Sequence, residues 1–377
     1  MPGPPVSRKV LAEDARVEAR ARAYYPLTDY HFYDGHVSTL LTHANTHLLP
    51  AVRKAGLKFN ERALKHGIQW HDALYPIDHT LLLNPETGKP FSSKEELSAH
   101  VARHELRKLG LPEKHVQMVY DIIMATHPGV EPVTIEQKLM RALDLHNLTY
   151  DYETFSKNWD QLRQEAEHMR GMPINKRDWA NSTASFLPLF LWTSIHLTEG
   201  YYNANGASAF HNAAIRNIVR KLRETIPGWP QRVIVEIGPN ASPLTTRRKL
   251  SPKTFYVGID SDPQKLRQAL SLSREVYAPT QKKPTVFFVP GEARSIPLDD
   301  KFAHEVVLHD TGELPLSEIG RVLKSGGTME VELRGAIKEA KIRSLIAKIE
   351  KDPRYRHAKT TRYSGEKPYA SISFSYR

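Results

Sequence analysis

A punctuated stretch, Ile226-Pro227-Gly228-Trp229-Pro230, divides this 377-residue chain into parts built on different periods. Two prolines and a glycine so close together cannot lie inside a helix or a central strand. Upstream, apolar residues recur three and four positions apart, the period of an amphipathic helix. Downstream, short apolar runs alternate with helical stretches and glycine turns, the pattern of a mostly parallel sheet with crossover helices. The reading is a two-domain chain: an all-α bundle over 1–225, a linker over 226–232, and a doubly wound α/β domain over 233–377. At about 150 residues per domain, the length allows this.

The upstream part is a series of capped helices. A charged, Ala-rich run from Lys9 to Tyr24 predicts an exposed helix. Asp34-Gly35 is a turn, and Leu40, Leu41, Ala44, Leu48 and Leu49 place a helix after His36. Asn60 is an N-cap with Glu61 in the first turn. That helix runs through Ala63, Leu64, Gly67 and Ile68 to Trp70-His71-Asp72-Ala73-Leu74-Tyr75-Pro76. Ser92-Ser93-Lys94-Glu95-Glu96 resembles a capping box and opens a helix that Gly110 ends. Helices over about 113–126 and 134–147 follow. An apolar helix around Ser185 to Leu197 is expected to be buried.

Composition narrows the chemistry. The chain has no cysteine, so disulfides, thiolate metal sites and cysteine nucleophiles are excluded. A metal here has to use His, Asp or Glu. The lack of disulfides fits a cytoplasmic protein, and no apolar run approaches the roughly 20 residues of a membrane span. The N-terminus lacks the apolar core of a signal peptide. The net charge of +11 is uneven: residues 1–230 carry 27 basic and 25 acidic groups, and 231–377 carry 26 and 17. Residues 334–377 alone hold 12 basic and 4 acidic groups. Two readings stand: a polyanionic partner such as RNA on the C-terminal half, or a solvated basic surface.

His71-Asp72 is the one adjacent donor pair inside an apolar helical run. Its neighbours are about 100° apart on a helix, so they can share an ion only near a helix end or with donors from other helices. If the pair is a site, His36 before it and Asp144 after it would supply those donors. Two imidazoles and two carboxylates suit Mn, Fe, Co, Ni or Zn and leave positions open for water and phosphate. Glu95 and His127 are candidates to orient a ligand or touch substrate. His43 and His47 share the His36 face. His100 and His104 are four residues apart but have no evident third donor.

The order His36, His71-Asp72, Asp144 on separate helices resembles the HD-domain superfamily of metal-dependent phosphohydrolases. Tyr30-His31, Tyr75, Glu95 with Ser98-Ala99, Met124-Ala125-Thr126-His127, Asp144-Leu145 and the stretch Asn205 to Asn212 are similar to residues that small HD hydrolases carry. The resemblance covers about 20–225. It departs at Lys94, where the family often has Asn. It implies a site of His36, His71, Asp72 and Asp144 for a divalent metal, with Asp72, Glu95 and His127 in catalysis. A mononuclear and a binuclear site are both open. The implied substrate is a nucleotide or another phosphorylated small molecule.

Downstream, Val233 to Gly238, Phe255 to Asp260, Thr285 to Val289, Glu305 to Asp310, Thr328 to Leu333 and Ala370 to Tyr376 are predicted strands. Helices are predicted over Leu316 to Leu323 and 336–350. Glu236-Ile237-Gly238-Pro239, Asp260, Gly291-Glu292-Ala293 and Arg321-Val322-Leu323-Lys324-Ser325-Gly326-Gly327 together resemble class I S-adenosylmethionine-dependent methyltransferases. That implies a pocket for S-adenosylmethionine lined by Glu236, Gly238, Asn240, Asp260 and Glu292. The family's Gly-x-Gly is here Gly238-Pro239-Asn240. Pro239 removes a donor, and Asn240 places a side chain where backbone and cofactor usually meet. A second pair, His309-Asp310, falls at the end of a strand. The alternative is a regulatory or ligand-binding protein with a degenerate, non-catalytic second domain.

Overall fold

A computed structural model describes residues 7–75, 77–193, 207–239, 243–277, 284–309, 314–334, 339–363 and 369–377. Contacts divide the chain into two compact units, one running to Ile174 and the other starting at Asn175.

The first unit is helical. α1 (Arg8–Arg22) is capped by Ser7. Chain 33–54 is one continuous helical path: a π-helical turn over Tyr33–Val37, α2 (Ser38–His43), a second π-turn over Ala44–Leu48, and α3 (Leu49–Lys54). α4 (Glu61–Trp70) begins where the Asn60 side chain accepts the Ala63 N–H, as expected. α5 (Lys94–Lys108) begins at Ser93, whose hydroxyl accepts the Glu96 N–H at 3.1 Å. Glu96 reaches back to Ser92 rather than to Ser93, which makes the capping one residue longer than a standard box. α6 (Glu113–Met124) and α7 (Ile135–Asp144) follow, the latter opened by a full capping box between Thr134 and Gln137. α8 (Tyr152–Arg170) ends on Gly171 in the left-handed conformation that glycine adopts at least cost.

α4 is the central helix. Leu64, Ile68 and Trp70 are fully buried, each contributing on the order of 1.5–3 kcal/mol. Gly67 lets α6 approach: a Cβ there would lie 2.5 Å from Ile122 Cγ2.

The second unit is a seven-stranded sheet in the order β3-β2-β1-β4-β5-β7-β6. The strands are β1 (Arg232–Ile237), β2 (Thr254–Asp260), β3 (Thr285–Pro290), β4 (Ala303–His309), β5 (Leu323–Arg334), β6 (Tyr355–Tyr363) and β7 (Tyr369–Tyr376). β1 to β5 pair in parallel, and β7 runs antiparallel to both β5 and β6. The first five strands follow the doubly wound order, which reverses between β1 and β4. β6 was not foreseen: Tyr355 to Tyr363 is polar because it forms the sheet edge, where one side chain in two is not driven inward. α12 (Leu244–Arg247), α13 (Pro263–Tyr277), α14 (Leu316–Val322) and α15 (Glu339–Ile349) complete the α/β alternation.

The unit boundary differs from the expected linker. α9 (Lys176–Phe186), α10 (Pro188–Leu191) and α11 (Ala209–Thr225) are grouped with the sheet. α9 and α10 pack on β3, α11 packs on α9, and Arg216 of α11 pairs with Asp299 at 3.6 Å. A helical period alone does not say which core a helix joins. Of the single apolar helix expected around 185–197, residues 194–197 lie outside the described residues, and the described part is interrupted where Pro188 opens α10 with no N–H to extend α9.

Candidate metal centre

Three local backbone features aim four donors at one point. The π-turn over Tyr33–Val37 carries His36, and one-turn π insertions recur at functional positions. α4 ends at the dyad, with His71 as its C-cap. This is the helix-end placement that two adjacent donors need. Leu74 then takes φ +67°, rare for a residue with a branched side chain, and its N–H bonds Tyr24 O at 3.0 Å. Ser98 in α5 donates to Ala73 O at 2.7 Å. These bonds fix the turn that follows the dyad. Asp144 is the last residue of α7.

One donor atom from each of His36, His71, Asp72 and Asp144 lies within 4.8 Å of all the others. His36 Nε2 stands 3.1 Å from His71 Nε2. Asp72 Oδ2 lies 3.5 Å from His36 Nε2 and 3.1 Å from His71 Nε2, and Asp144 Oδ1 lies 3.6 Å from His71 Nε2. His71 Nδ1–H donates to Ile68 O at 2.9 Å, which turns Nε2 into the cluster. The set fits a divalent first-row ion: two imidazole nitrogens and two carboxylate oxygens converge where at most a shared proton otherwise separates them.

The electrostatics agree with a cation at the centre. Burial pushes the His36 ring down to about 4, so it is neutral and able to ligate. Burial also raises the Asp144 carboxyl. At Asp72 burial acts in the same sense, but Lys94 and His71 hold that carboxyl well below its usual range. His71 is driven the other way: burial opposes its charge, yet Asp72 and Asp144 push it up to about 9. A cation bound between these groups would take the place of that proton.

The surrounding residues divide into those the sequence picked out and those it missed. Lys94 Nζ lies 3.2 Å from Asp72 Oδ1 and 4.9 Å from the Tyr75 ring centre. It therefore holds the Asp72 oxygen that does not face the histidines. Glu95 is buried beside Lys94 and Arg141, close enough to favour the charged form of both. His127 is not brought into the cluster; its Nδ1 accepts the Gly129 N–H at 3.1 Å. His43 stacks on His146 at 3.6 Å, and His100 faces Phe91 and Glu86.

His31, quoted in the resemblance but not among the expected site residues, also reaches the cluster. It is buried, its Nδ1 bonds Glu165 Oε2 at 2.5 Å, and its Nε2 lies 3.7 Å from Asp72 Oδ2. Glu165, on α8, also accepts the His31 backbone N–H at 2.9 Å. No local signal links residues 134 positions apart. Beside His36 a cavity of about 290 Å³ is lined by Tyr30, Asn147, Tyr150, Lys157, Asn158 and Gln161 among others.

In the second unit, Gly238, Asp260 and Glu292 sit at the carboxyl ends of β1, β2 and β3, beside the point where strand order reverses. Gly238 has φ +71° and its N–H bonds Ile259 O at 2.8 Å. Asp260 accepts the Asp262 N–H at 3.0 Å. Glu292 is exposed. Asn240 and Asp310 lie outside the described residues. Glu236 points inward and is 0% exposed. It accepts from Leu244 N–H at 2.7 Å, Arg247 at 3.0 Å, and the Tyr256 hydroxyl, and contacts His309 Nε2. Burial works to raise its carboxyl, but His309 and Tyr256 hold it below the usual value. Arg247 continues to Glu332 at 2.5 Å, tying β1 to β5.

No family model and no curated protein matches this chain. Solved structures of methyltransferases are similar to it. The antibiotic-resistance methyltransferase Kmr is 13% identical, with a TM-score of 0.33, over 42% of this chain and 93% of its own. A variant of the 16S rRNA (adenine(1408)-N(1))-methyltransferase from Catenulisporales acidiphilia, with cosubstrate SAM, is 15% identical over 39% and 85%, with a TM-score of 0.32. A SAM-dependent methyltransferase from Aquifex aeolicus is 14% identical over 42% and 89%, with a TM-score of 0.31. Among the described residues no helix is long and apolar enough to cross a membrane.

Proposed function

We propose that the first unit is a metal-dependent phosphohydrolase of the HD type, acting on a phosphate monoester such as a nucleotide or another phosphorylated small molecule. The observation that carries this reading is the convergence of His36, His71, Asp72 and Asp144 within 4.8 Å. When bound, a divalent ion at such a set acidifies its water and polarises a phosphoryl oxygen. The chain's own groups prepare the site. His71 keeps its Nε2 inward through the Ile68 carbonyl. Lys94 holds one Asp72 oxygen and leaves the other to the histidines. His31, oriented by Glu165, presents Nε2 at the rim of the cluster, where it contacts the reacting group or its water. Glu95 balances the charge of Lys94 and Arg141 from the first turn of α5.

Metal analysis of the purified full chain, with a panel of phosphate monoesters, tests this. Wild type is expected to carry about one ion and turn over a substrate, and Asp72→Ala to lose both. A wild-type protein that holds no first-row metal and hydrolyses nothing sinks the reading.

For the second unit we propose binding of S-adenosylmethionine at the ends of β1 to β3, with methyl transfer to a related substrate. The strand-end placement of Gly238, Asp260 and Glu292 supports it. A second reading, a regulatory unit that no longer transfers methyl groups, draws on a specific observation: Glu236 is fully enclosed and its oxygens already have partners. Calorimetry with S-adenosylmethionine separates the two, since absence of binding at millimolar ligand leaves only the second.

A further inference from the structure

One face of the sheet changes character from its middle to its edge. Over β1, β4 and β5 that face carries buried acids, each answered by an arginine. Glu305 meets Arg232 and Arg248, Glu330 meets Arg248, and Glu332 meets Arg247 and Arg248. In the register of β5 against β7, Thr328, Glu330 and Glu332 stand opposite Ser375, Ser373 and Ser371. The face therefore continues into a row of serines. Ser371 is buried and bonds Glu330, Ser373 is half-buried, and Ser375 is exposed.

β6 completes the face with cations. Strand alternation alone would put Arg356 and Lys359, an odd number of residues apart, on opposite sides. The register shift between His357 and Lys359 leaves Ala358 unpaired, so Arg356 faces Ser375 and Lys359 faces Ser373. Both cations are thus turned to the serine face, within roughly 10 Å of each other along the strand. Both are exposed, and neither has an acidic partner among the described residues. Thr361, opposite Ser371, extends the hydroxyl row. The opposite face of the same strands carries Phe374, Ile372 and Ala370, which are buried. Charges on an edge strand also discourage strand pairing, but that purpose does not require a bulge that gathers them on one face beside hydroxyls.

We propose that this Ser373, Ser375, Arg356, Lys359 and Thr361 face is a docking surface for the backbone of single-stranded RNA. Cations and hydroxyls are the groups that contact phosphate and sugar, and the nearby carboxylate of Glu350 is engaged by the His357 N–H at 3.0 Å. The hydroxyl row suits the ribose 2′-OH, which can donate and accept. The groups named here are cations and hydroxyls, so binding is expected to track the backbone rather than the base sequence.

The test is fluorescence anisotropy of the full chain with a labelled 12-nucleotide oligouridylate over a range of salt. Wild type is expected to bind with an affinity that falls with salt. In the Arg356→Ala/Lys359→Ala double variant, binding should weaken on the order of ten-fold and the slope of log affinity against log salt should fall by about 1.4, two single-strand phosphate contacts. Ser375→Asp should weaken binding in the same direction by adding a charge without removing a cation. Lys265→Ala/Arg274→Ala, which removes the same net charge from α13, should leave the slope unchanged. Absence of binding by wild type, or equal losses in the two double variants, overturns the assignment. Equal affinity for the deoxy oligomer of the same sequence overturns the choice of RNA.

Discussion

On the proposed metal reading, stripping a bound divalent ion is expected to destabilise the first unit and leave the second untouched. The four donors come from three separate segments: the π-turn after Phe32, the end of α4, and the end of α7. An ion bound there ties these segments together in the native state, and the unfolded chain offers no such arrangement. With free ion at 100 times its dissociation constant, mass action contributes about 2.7 kcal/mol. For a unit of about this size, each kcal/mol moves the unfolding temperature by roughly 2–4 °C, so a shift of about 5–10 °C is expected. Differential scanning calorimetry of the full chain, with chelator and then with Mn, Co, Ni or Zn added back, reads this directly. The transition of the second unit in the same scan serves as an internal control. Asp144→Ala should abolish the metal-dependent shift, because it removes one donor at the rim of the cluster, where the side chain is 21% exposed. The reasoning fails if no ion shifts the transition, or if Asp144→Ala responds to metal as wild type does.

Other consequences can be checked on stability alone. Gly67→Ala would bring a Cβ to 2.5 Å from Ile122 Cγ2; overpacking should cost about 1–3 kcal/mol, outweighing the roughly 1 kcal/mol helix-propensity gain. Urea denaturation should show the losses of Gly67→Ala and Ile122→Ala to be less than additive when combined, and a neutral Gly67→Ala would refute the close packing. His66 is buried against His115, Asp14 and Arg62, and burial followed by the His115 charge lowers it to about 4. Its folded value lies below the unfolded one, so its contribution is complete above about pH 6.5 and is lost as pH falls towards 4, by roughly 3 kcal/mol. His66→Gln should flatten the pH dependence of stability in that window, and an unchanged profile would count against it. Glu165→Ala leaves the backbone N–H and ring of His31 without their carboxylate, which should cost about 2–4 kcal/mol in denaturant titrations; Glu165→Gln should recover part of it.

The sequence alone determined most of the capped helices and the parallel strands. Caps at Asn60, Ser93 and Thr134 act within four residues, so they are legible without tertiary context. The parallel strands declared themselves because both faces of β1, β2 and β4 are buried and so read as continuous apolar runs. The grouping of His36, His71, Asp72 and Asp144 was suggested by their order along the chain and its resemblance to HD-domain proteins, and the structure brings one ligand atom of each within 4.8 Å of the others. Tertiary structure decided the rest. It assigned α9 to α11 to the sheet, a choice the helical period leaves open. It paired His31 with Glu165 and enclosed Glu236, contacts made across long separations by packing alone. It made the polar run Tyr355 to Tyr363 an edge strand, and through one unpaired residue set Arg356 and Lys359 side by side. Local chemistry marks where capped helices and buried strands form; which segments meet, and what a polar run becomes at a sheet edge, depends on burial summed over the whole chain, and no short window of sequence contains that sum.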